Sequence, residues 1–305
     1  MRPLLMLGAA ALLVAACAGS DSNADETTTT TEPTTTTSPE RVTTSTVTST
    51  SPTATSAPDT SAPEAGPATT AGAVPGAELV GRWAHYDVVA YQDDTLKTLI
   101  ISFGFNDFTE VDGEIIDQGS FCFSEQRTDQ PIETSLSDAA TQAIKPPPIP
   151  VEVDVVDGVL RIRRPATPTP VGIRLDDPAN EPLPTDPNDP RIVDDDGDGN
   201  PGITVSIRVT DDLTGELYIA RREIFAYEAF ATGPDMLTGI VTDDSEQLVI
   251  GASDPIFASS PANWGQYPDL SKSPIILERV DTDWDCDRLR AERDTLFPPA
   301  PDIDW

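Results

Sequence analysis

The sequence predicts an all-β domain, an antiparallel meander folded as a barrel or a sandwich, closed by one short C-terminal helix. Three observations predict it. Between residues 78 and 305, apolar residues recur in short runs with a period near two. Turn-forming pairs such as Asp112-Gly113 and Asp157-Gly158 fall between those runs. Only one stretch, residues 286–297, carries a helical pattern. At about 228 residues the segment is long enough for a sizeable core in one domain.

Taken in order, residues 79–91 alternate loosely and 96–105 are apolar and β-rich. Asp112-Gly113 joins 108–111 to 114–123 as a hairpin. Residues 151–156 and 159–163 form the clearest hairpin, around Asp157-Gly158. Residues 203–209 put Thr204, Ser206 and Arg208 on one face and Val205, Ile207 and Val209 on the other. A turn at 211–215 leads into a long strand over 216–229. Residues 236–242 and 247–252 are expected to pair around Asp243-Asp244, and 274–280 is the last strand. In the closing helix Asp285 is the expected N-cap, and Asp287 sits well on the positive end of the dipole. The intervals 124–150 and 164–202 are expected to be long loops.

Ahead of the domain, Thr, Ser and Pro make up most of residues 27–70. Such a stretch cannot bury enough surface to offset its ordering entropy, so 17–77 is expected to be a disordered tether. Its composition also resembles O-glycosylated stalks. Before it, Arg2 and the apolar run 4–16 have the form of a signal peptide covering residues 1–16. Thirteen residues at about 1.5 Å each reach only ~20 Å, short of a ~30 Å hydrocarbon core. The run ends in Val14-Ala15-Ala16-Cys17, which resembles the lipobox of bacterial lipoproteins. That resemblance implies cleavage before Cys17, lipidation of its thiol and amino group, and membrane attachment through the lipid. It places the chain in the cell envelope. Ala18 after the cysteine implies the outer membrane if the cell has two. An ordinary secretory signal cut at another small residue is the alternative.

The 52 acidic and 19 basic residues give a formal charge of −33. Of these, 44 acidic and 17 basic residues lie from residue 79 onward, so the charge belongs to the folded part. A chain of this sign is not a nucleic-acid binder, which needs a basic surface against phosphate. A single histidine excludes multi-histidine zinc or iron sites.

Gly81-Arg82-Trp83 resembles the Gly-x-Trp start of lipocalin-like barrels. In that superfamily a basic residue of the last strand packs across the tryptophan, and Arg279 is the candidate here. The long intervals at 124–150 and 164–202 depart from the family's pattern. The resemblance implies a carrier barrel, with Trp83, Phe103, Phe105, Phe121 and Phe123 either lining a cavity or forming ordinary core.

The sharpest chemical motif spans residues 194–200, Asp-Asp-Asp-Gly-Asp-Gly-Asn. Alternate carboxylates from Asp194, Asp196 and Asp198 in a tight loop can converge on a hard cation, and the Asn200 carbonyl can add a ligand. This resembles the first half of an EF-hand loop. Val205 stands where that loop needs a bidentate glutamate, and no helix flanks it. The expectation is a weak structural calcium site completed by Asp176, Asp177, Asp189 or Asp211; a solvated acidic loop is the alternative. The second acidic series, Asp281, Asp283, Asp285 and Asp287, lacks a turn glycine and reads as a polar helix start.

With Cys17 lipidated, Cys122 and Cys286 remain, and an oxidising envelope compartment points to a disulfide between them, with two buried thiols as the alternative. Nucleophilic catalysis is hard to assemble: His85 stands alone and no Gly-x-Ser-x-Gly occurs. Arg161, Arg163 and Arg164 are expected to neutralise nearby acids. The leading reading is a non-enzymatic, lipid-anchored surface protein presenting a calcium-stabilised β domain to an envelope protein or ligand. The alternative is a carrier of a lipid or other apolar molecule. An envelope hydrolase stands third; it requires a concave cluster of acids around His85 or an arginine.

Overall fold

The computed structural model describes residues 76–93, 96–258 and 265–303. The signal segment, Cys17 and all but the last residues of the tether lie outside the described residues. The strands are β1 (Gly81–Gln92), β2 (Lys97–Val111), β3 (Glu114–Thr128) and β4 (Glu133–Leu136), followed by helix α1 (Asp138–Gln142). Then come β5 (Ile149–Val156), β6 (Val159–Val171), β7 (Ile203–Thr210), β8 (Leu213–Gly233), β9 (Met236–Asp243) and β10 (Glu246–Ala252). The short β11 (Gly265–Gln266), β12 (Pro274–Val280) and helix α2 (Cys286–Leu296) complete the chain.

All paired strands run antiparallel in one sheet. Eight of them, β1, β2, β3, β5, β6, β8, β9 and β12, are neighbours in chain order, and β12 pairs back onto β1, so the meander closes as a ring. Its hairpins follow from turn chemistry. Asp112 and Gly113 take φ of 53° and 87°, and Asp157 and Gly158 take 52° and 83°. Two consecutive left-handed residues match the twist of the flanking strands, and the Asp-Gly pair tolerates them. Along β1, Trp83, His85, Asp87, Val89 and Tyr91 face the inside of the ring, and Ala84, Tyr86, Val88 and Ala90 face out.

The outward face is not solvated, because α2 and the C-terminal segment cover it. Leu289 and Phe297 pack with Tyr86, Phe103 and Phe123 in one buried cluster. Tyr86 stacks on Phe297 at 5.6 Å, and Phe103 on Phe123 at 4.8 Å between ring centroids. Each such side chain contributes roughly 1.5–3 kcal/mol on burial. Asp285 caps α2 by accepting from the Arg288 amide at 2.9 Å, as expected. A disulfide joins Cys122 on β3 to Cys286 at the start of α2, with Cα atoms 5.3 Å apart.

A β-bulge makes that link. Phe103 pairs with Phe123, but the next residue, Gly104, pairs with Phe121, so Cys122 is the extra residue. The bulge turns both Cys122 and Phe123 outward, and Phe121 remains on the inside. A Cβ on Gly104 would lie 2.0 Å from the Ser120 carbonyl oxygen, so only glycine fits opposite it. The expected aromatic lining is corrected accordingly: Phe103, Phe105 and Phe123 lie under α2, outside the ring.

The pairing expected between 236–242 and 247–252 is also corrected. β9 pairs with β8 and β12, and β10 pairs with β8. Asp243 lies opposite Phe225 and Glu246 opposite Arg222, so β9 and β10 follow the same edge of β8 one after the other. Asp244-Ser245 is a break in one line rather than a reversal. Ser245 Oγ accepts from the Ile224 amide at 2.9 Å, and the Asp244 amide donates to the Ile224 carbonyl at 2.9 Å.

β8 is long because it serves two patches. Its first part pairs with β7 and β10, and the rest with β6 and β9. β4, which lies with α1 in the interval expected to be loop, pairs with β7. β6 runs on to Val171 through Pro165, Pro168 and Pro170. Its pairing to β5 ends at Arg163, so beyond that point one edge is open and proline needs no ladder donor there.

Candidate functional site

The inside of the ring is layered. One end is closed by Trp83, whose indole donates to the Leu79 carbonyl at 2.7 Å and packs edge-on to Phe108. The Arg279 guanidinium lies 4.3 Å from the Trp83 ring centroid and donates to the carbonyls of Val80, at 3.1 Å, and Glu78. Trp83 and Arg279 are direct cross-strand partners. The basic side chain across the tryptophan is therefore present, formed by the first and last strands of the closed meander.

The middle layer is polar and sealed. Asp117 and Arg164 are 0% and 2% exposed, with Arg164 Nε 3.1 Å from Asp117 Oδ2. Asn106 Nδ2 donates to Asp117 Oδ1 at 2.7 Å and Tyr227 donates to Oδ2 at 3.0 Å. Burial still holds the Asp117 carboxyl above its ordinary value, against the pull of Arg164 and these donors. With its amide nitrogen given to Asp117, Asn106 offers only its oxygen to His85 Nδ1, at 2.8 Å. Nδ1 therefore carries the proton, and Nε2 is left as a bare acceptor without a partner. Burial pushes His85 down to about 4, so the imidazole is neutral.

Above this layer lies an internal cavity of about 80 Å³. Asp87 enters it next to His85, with Oδ2 3.6 Å from Nε2. Its polar wall includes Asp87, Tyr91, Arg221, Glu223, Asp243 and Gln247, with hydroxyl and amide groups of Thr98, Ser102, Ser124, Gln126 and Thr134 beside them. Its apolar wall includes Val89, Ile100, Phe121, Val205 and Ile219, and Leu136, Thr141 and Ile144 from the β4–α1 segment cover it. Burial, followed by the charges of Glu223 and Asp243, pushes Asp87 up to about 8. Asp243 is raised by burial too, although it lies near Arg221 and accepts from Tyr91 at 2.6 Å. Arg221 holds both oxygens of Glu223, at 2.5 and 3.1 Å, and reaches Gln247 Oε1 at 3.3 Å. Two buried polar atoms in the wall, Thr98 Oγ1 and Gln247 Nε2, have no hydrogen-bond partner.

Of these cavity residues only Phe121 was named from the sequence as candidate lining; none of the polar ones was. One signal was present in the sequence: His85 and Asp87 share the inward parity of β1 with Trp83, Val89 and Tyr91. A charged residue on the apolar parity of a strand needs a partner or a purpose.

The acidic loop at 194–200 lies outside the ring. The carboxylate oxygens of Asp194, Asp196 and Asp198 fall within 4.8 Å of one another. Gly197 and Gly199, with φ of 74° and 91°, give the chain its sharp turn. Asp194 accepts from their amides at 2.6 and 2.9 Å. Asp196 Oδ2 accepts from the Thr204 amide at 2.9 Å, and its Oδ1 has no partner. Asn200 donates from its side chain to Asp198 at 3.1 Å. Burial raises Asp196, whereas Asp198 is lowered because hydrogen bonds from Thr204 and Asn200 outweigh its burial.

Among the described residues, Asp176, Asp177, Asp189 and Asp211 do not join this cluster. Asp189 accepts from Arg191, and Asp177 from Asn180. Asp195 points to the other side and holds Arg174 and the Gly172 amide. The expected neutralisation by the arginine cluster is present: Arg161 pairs with Asp154, Arg163 with Glu152 and Arg164 with Asp117.

Compared with protein-family models, curated proteins and solved structures, the chain matches none of them.

Proposed function

We propose that the chain is a lipoprotein of the cell envelope whose β domain binds a small ligand in the cavity at the open end of the ring, without catalysing a reaction. Lipid on Cys17 anchors it, and the Thr/Ser/Pro segment holds the domain away from the bilayer. The carrying observation is the cavity itself: a recess inside the ring with convergent polar groups, perturbed carboxyls and two orphaned polar atoms. A room of about 80 Å³ takes roughly five to eight water-sized units. That size supports a ligand of a few heavy atoms over an acyl chain, and so favours small-ligand binding over lipid carriage. Calcium held by Asp194, Asp196 and Asp198 would act as a clip on the loop before β7; the bare Asp196 oxygen and the convergent carboxylates support it.

An envelope hydrolase is the second reading, because acids do gather around Arg221. Their donors favour binding: Tyr91, Ser245 and Arg221 already hold Asp243 and Glu223, and His85 is sealed beneath them. Native mass spectrometry of the chain from Ala18 onward, without the signal segment and the lipid site, tests the reading. A retained small adduct, released at unchanged mass, is expected. Bare protein under every growth and buffer condition would overturn ligand binding, and an adduct of altered mass would favour turnover.

A further inference from the structure

We propose that the cavity selects a small aliphatic amine that also carries an oxygen acceptor, an amino alcohol of about six heavy atoms. The inference rests on the ligand-binding reading above and names the chemistry of the ligand. Three carboxyls, Asp87, Glu223 and Asp243, share the cavity with one guanidinium. That guanidinium is committed. Its Nε and one Nη hold Glu223, and the other Nη reaches Gln247. An anionic ligand would have to displace Glu223 and would then face two further carboxyls. A cation meets the reverse situation. Asp87 accepts from the Ser102 hydroxyl and lies 3.6 Å from the bare acceptor Nε2 of a neutral His85, neither of which carries positive charge, so an ammonium group beside it supplies a counter-charge. Burial first, and then the charges of Glu223 and Asp243, raise the proton affinity of Asp87.

The orphaned atoms supply the second half of the argument. Gln247 is 8% exposed, and its Oε1 is taken by Arg221, which fixes Nε2 as the free donor. Thr98 Oγ1, in a residue 4% exposed, is also without a partner. A buried donor left unsatisfied is costly, so a ligand oxygen that accepts from Gln247 is favoured over a methyl of equal size. The same cavity is lined by Val89, Ile100, Phe121, Val205 and Ile219, which suit methylene groups. The cavity volume of about 80 Å³ limits the body to a few carbons.

Four probes of about six heavy atoms each test this on the chain from Ala18 onward: 4-amino-1-butanol, n-pentylamine, 1-pentanol and butanoate. Binding is read at pH 7.5 by calorimetry and by ligand-observed NMR. The amino alcohol is expected to bind at least tenfold tighter than 1-pentanol and several-fold tighter than n-pentylamine, and butanoate is expected not to bind. Gln247→Leu should abolish the preference for the amino alcohol over n-pentylamine and leave amine binding intact. Asp87→Asn should weaken both amines about tenfold. Equal or tighter binding of 1-pentanol would overturn the cation preference and leave small-ligand binding standing. Equal binding of n-pentylamine to the parent would overturn the acceptor. No binding by any probe would overturn this inference, and the native mass spectra decide separately whether ligand binding itself stands. The probe ranking in the parent needs no variant, so it decides even if a substitution fails to fold.

Discussion

Asp87 makes the stability of the domain depend on pH in a window where few groups titrate. Its carboxyl has an ordinary value of 3.8 and is pushed up to about 8 by burial and by Glu223 and Asp243. Between those values the unfolded chain has lost the proton and the folded chain keeps it. Folding therefore takes up a proton, and stability falls as pH rises, at about 1.4 kcal/mol per unit. His85 acts in the opposite sense and lower down. It is pushed from 6.5 to about 4, so it costs stability only below about pH 6.5. From pH 6.5 to 8 the Asp87 contribution stands apart, and over that interval it amounts to about 2 kcal/mol. Asp87→Asn keeps the shape and removes the titration. Urea unfolding at the two pH values, followed by tryptophan fluorescence, should show the variant gaining about 2 kcal/mol on the parent as pH is raised. The subtraction cancels Glu223, Asp243, Tyr91 and Arg221, which are present in both. A difference that stays flat across the window would refute a buried, protonated Asp87.

Three further outcomes are expected. Cys286→Ser opens a loop of 164 residues, and the chain-entropy model puts the loss at up to about 5 kcal/mol, read as a fall in the guanidinium midpoint; a change under about 1 kcal/mol would mean the link adds nothing to the packing of α2. Arg279→Ala should cost about 2–4 kcal/mol and shift the Trp83 emission, because it removes the ring contact and charged donors to two carbonyls; Arg279→Lys should recover less than half. Calcium at a few millimolar should raise the melting temperature of the full chain by about 2–4 °C, for a site in the ~10⁻⁴–10⁻³ M range. Asp196→Ala should not respond, and an equal rise in that variant would remove the loop as the site.

Local signals were legible where the answer is local. Asp112-Gly113 and Asp157-Gly158 determined their hairpins because two successive positive-φ residues admit one tight turn. Asp285 determined where α2 begins, since its side chain satisfies an amide that the helix cannot. The tight spacing of Asp194, Asp196 and Asp198 determined that their carboxylates converge, because two glycines between and beside them turn the chain. Oxidation state followed from the count of cysteines once Cys17 was set aside, and Cys122 and Cys286 are joined.

Tertiary structure decided everything that depends on which residues meet across the ring. Alternation alone puts Phe121 and Phe123 on one face, but the bulge at Cys122 separates them, and the residue opposite that permits it, Gly104, belongs to another strand. Asp244-Ser245 has the composition of a turn, but β8 is long enough to pair with both flanking segments, so the chain runs on. The cavity was illegible for the same reason. Asp87, the Arg221–Glu223 pair and Asp243 come from three different strands, and their charges become a site only when ring closure brings those strands together. A sequence fixes the parity of each side chain along its own strand. Register and closure, set by the summed pairing of eight strands, fix what each inward side chain faces.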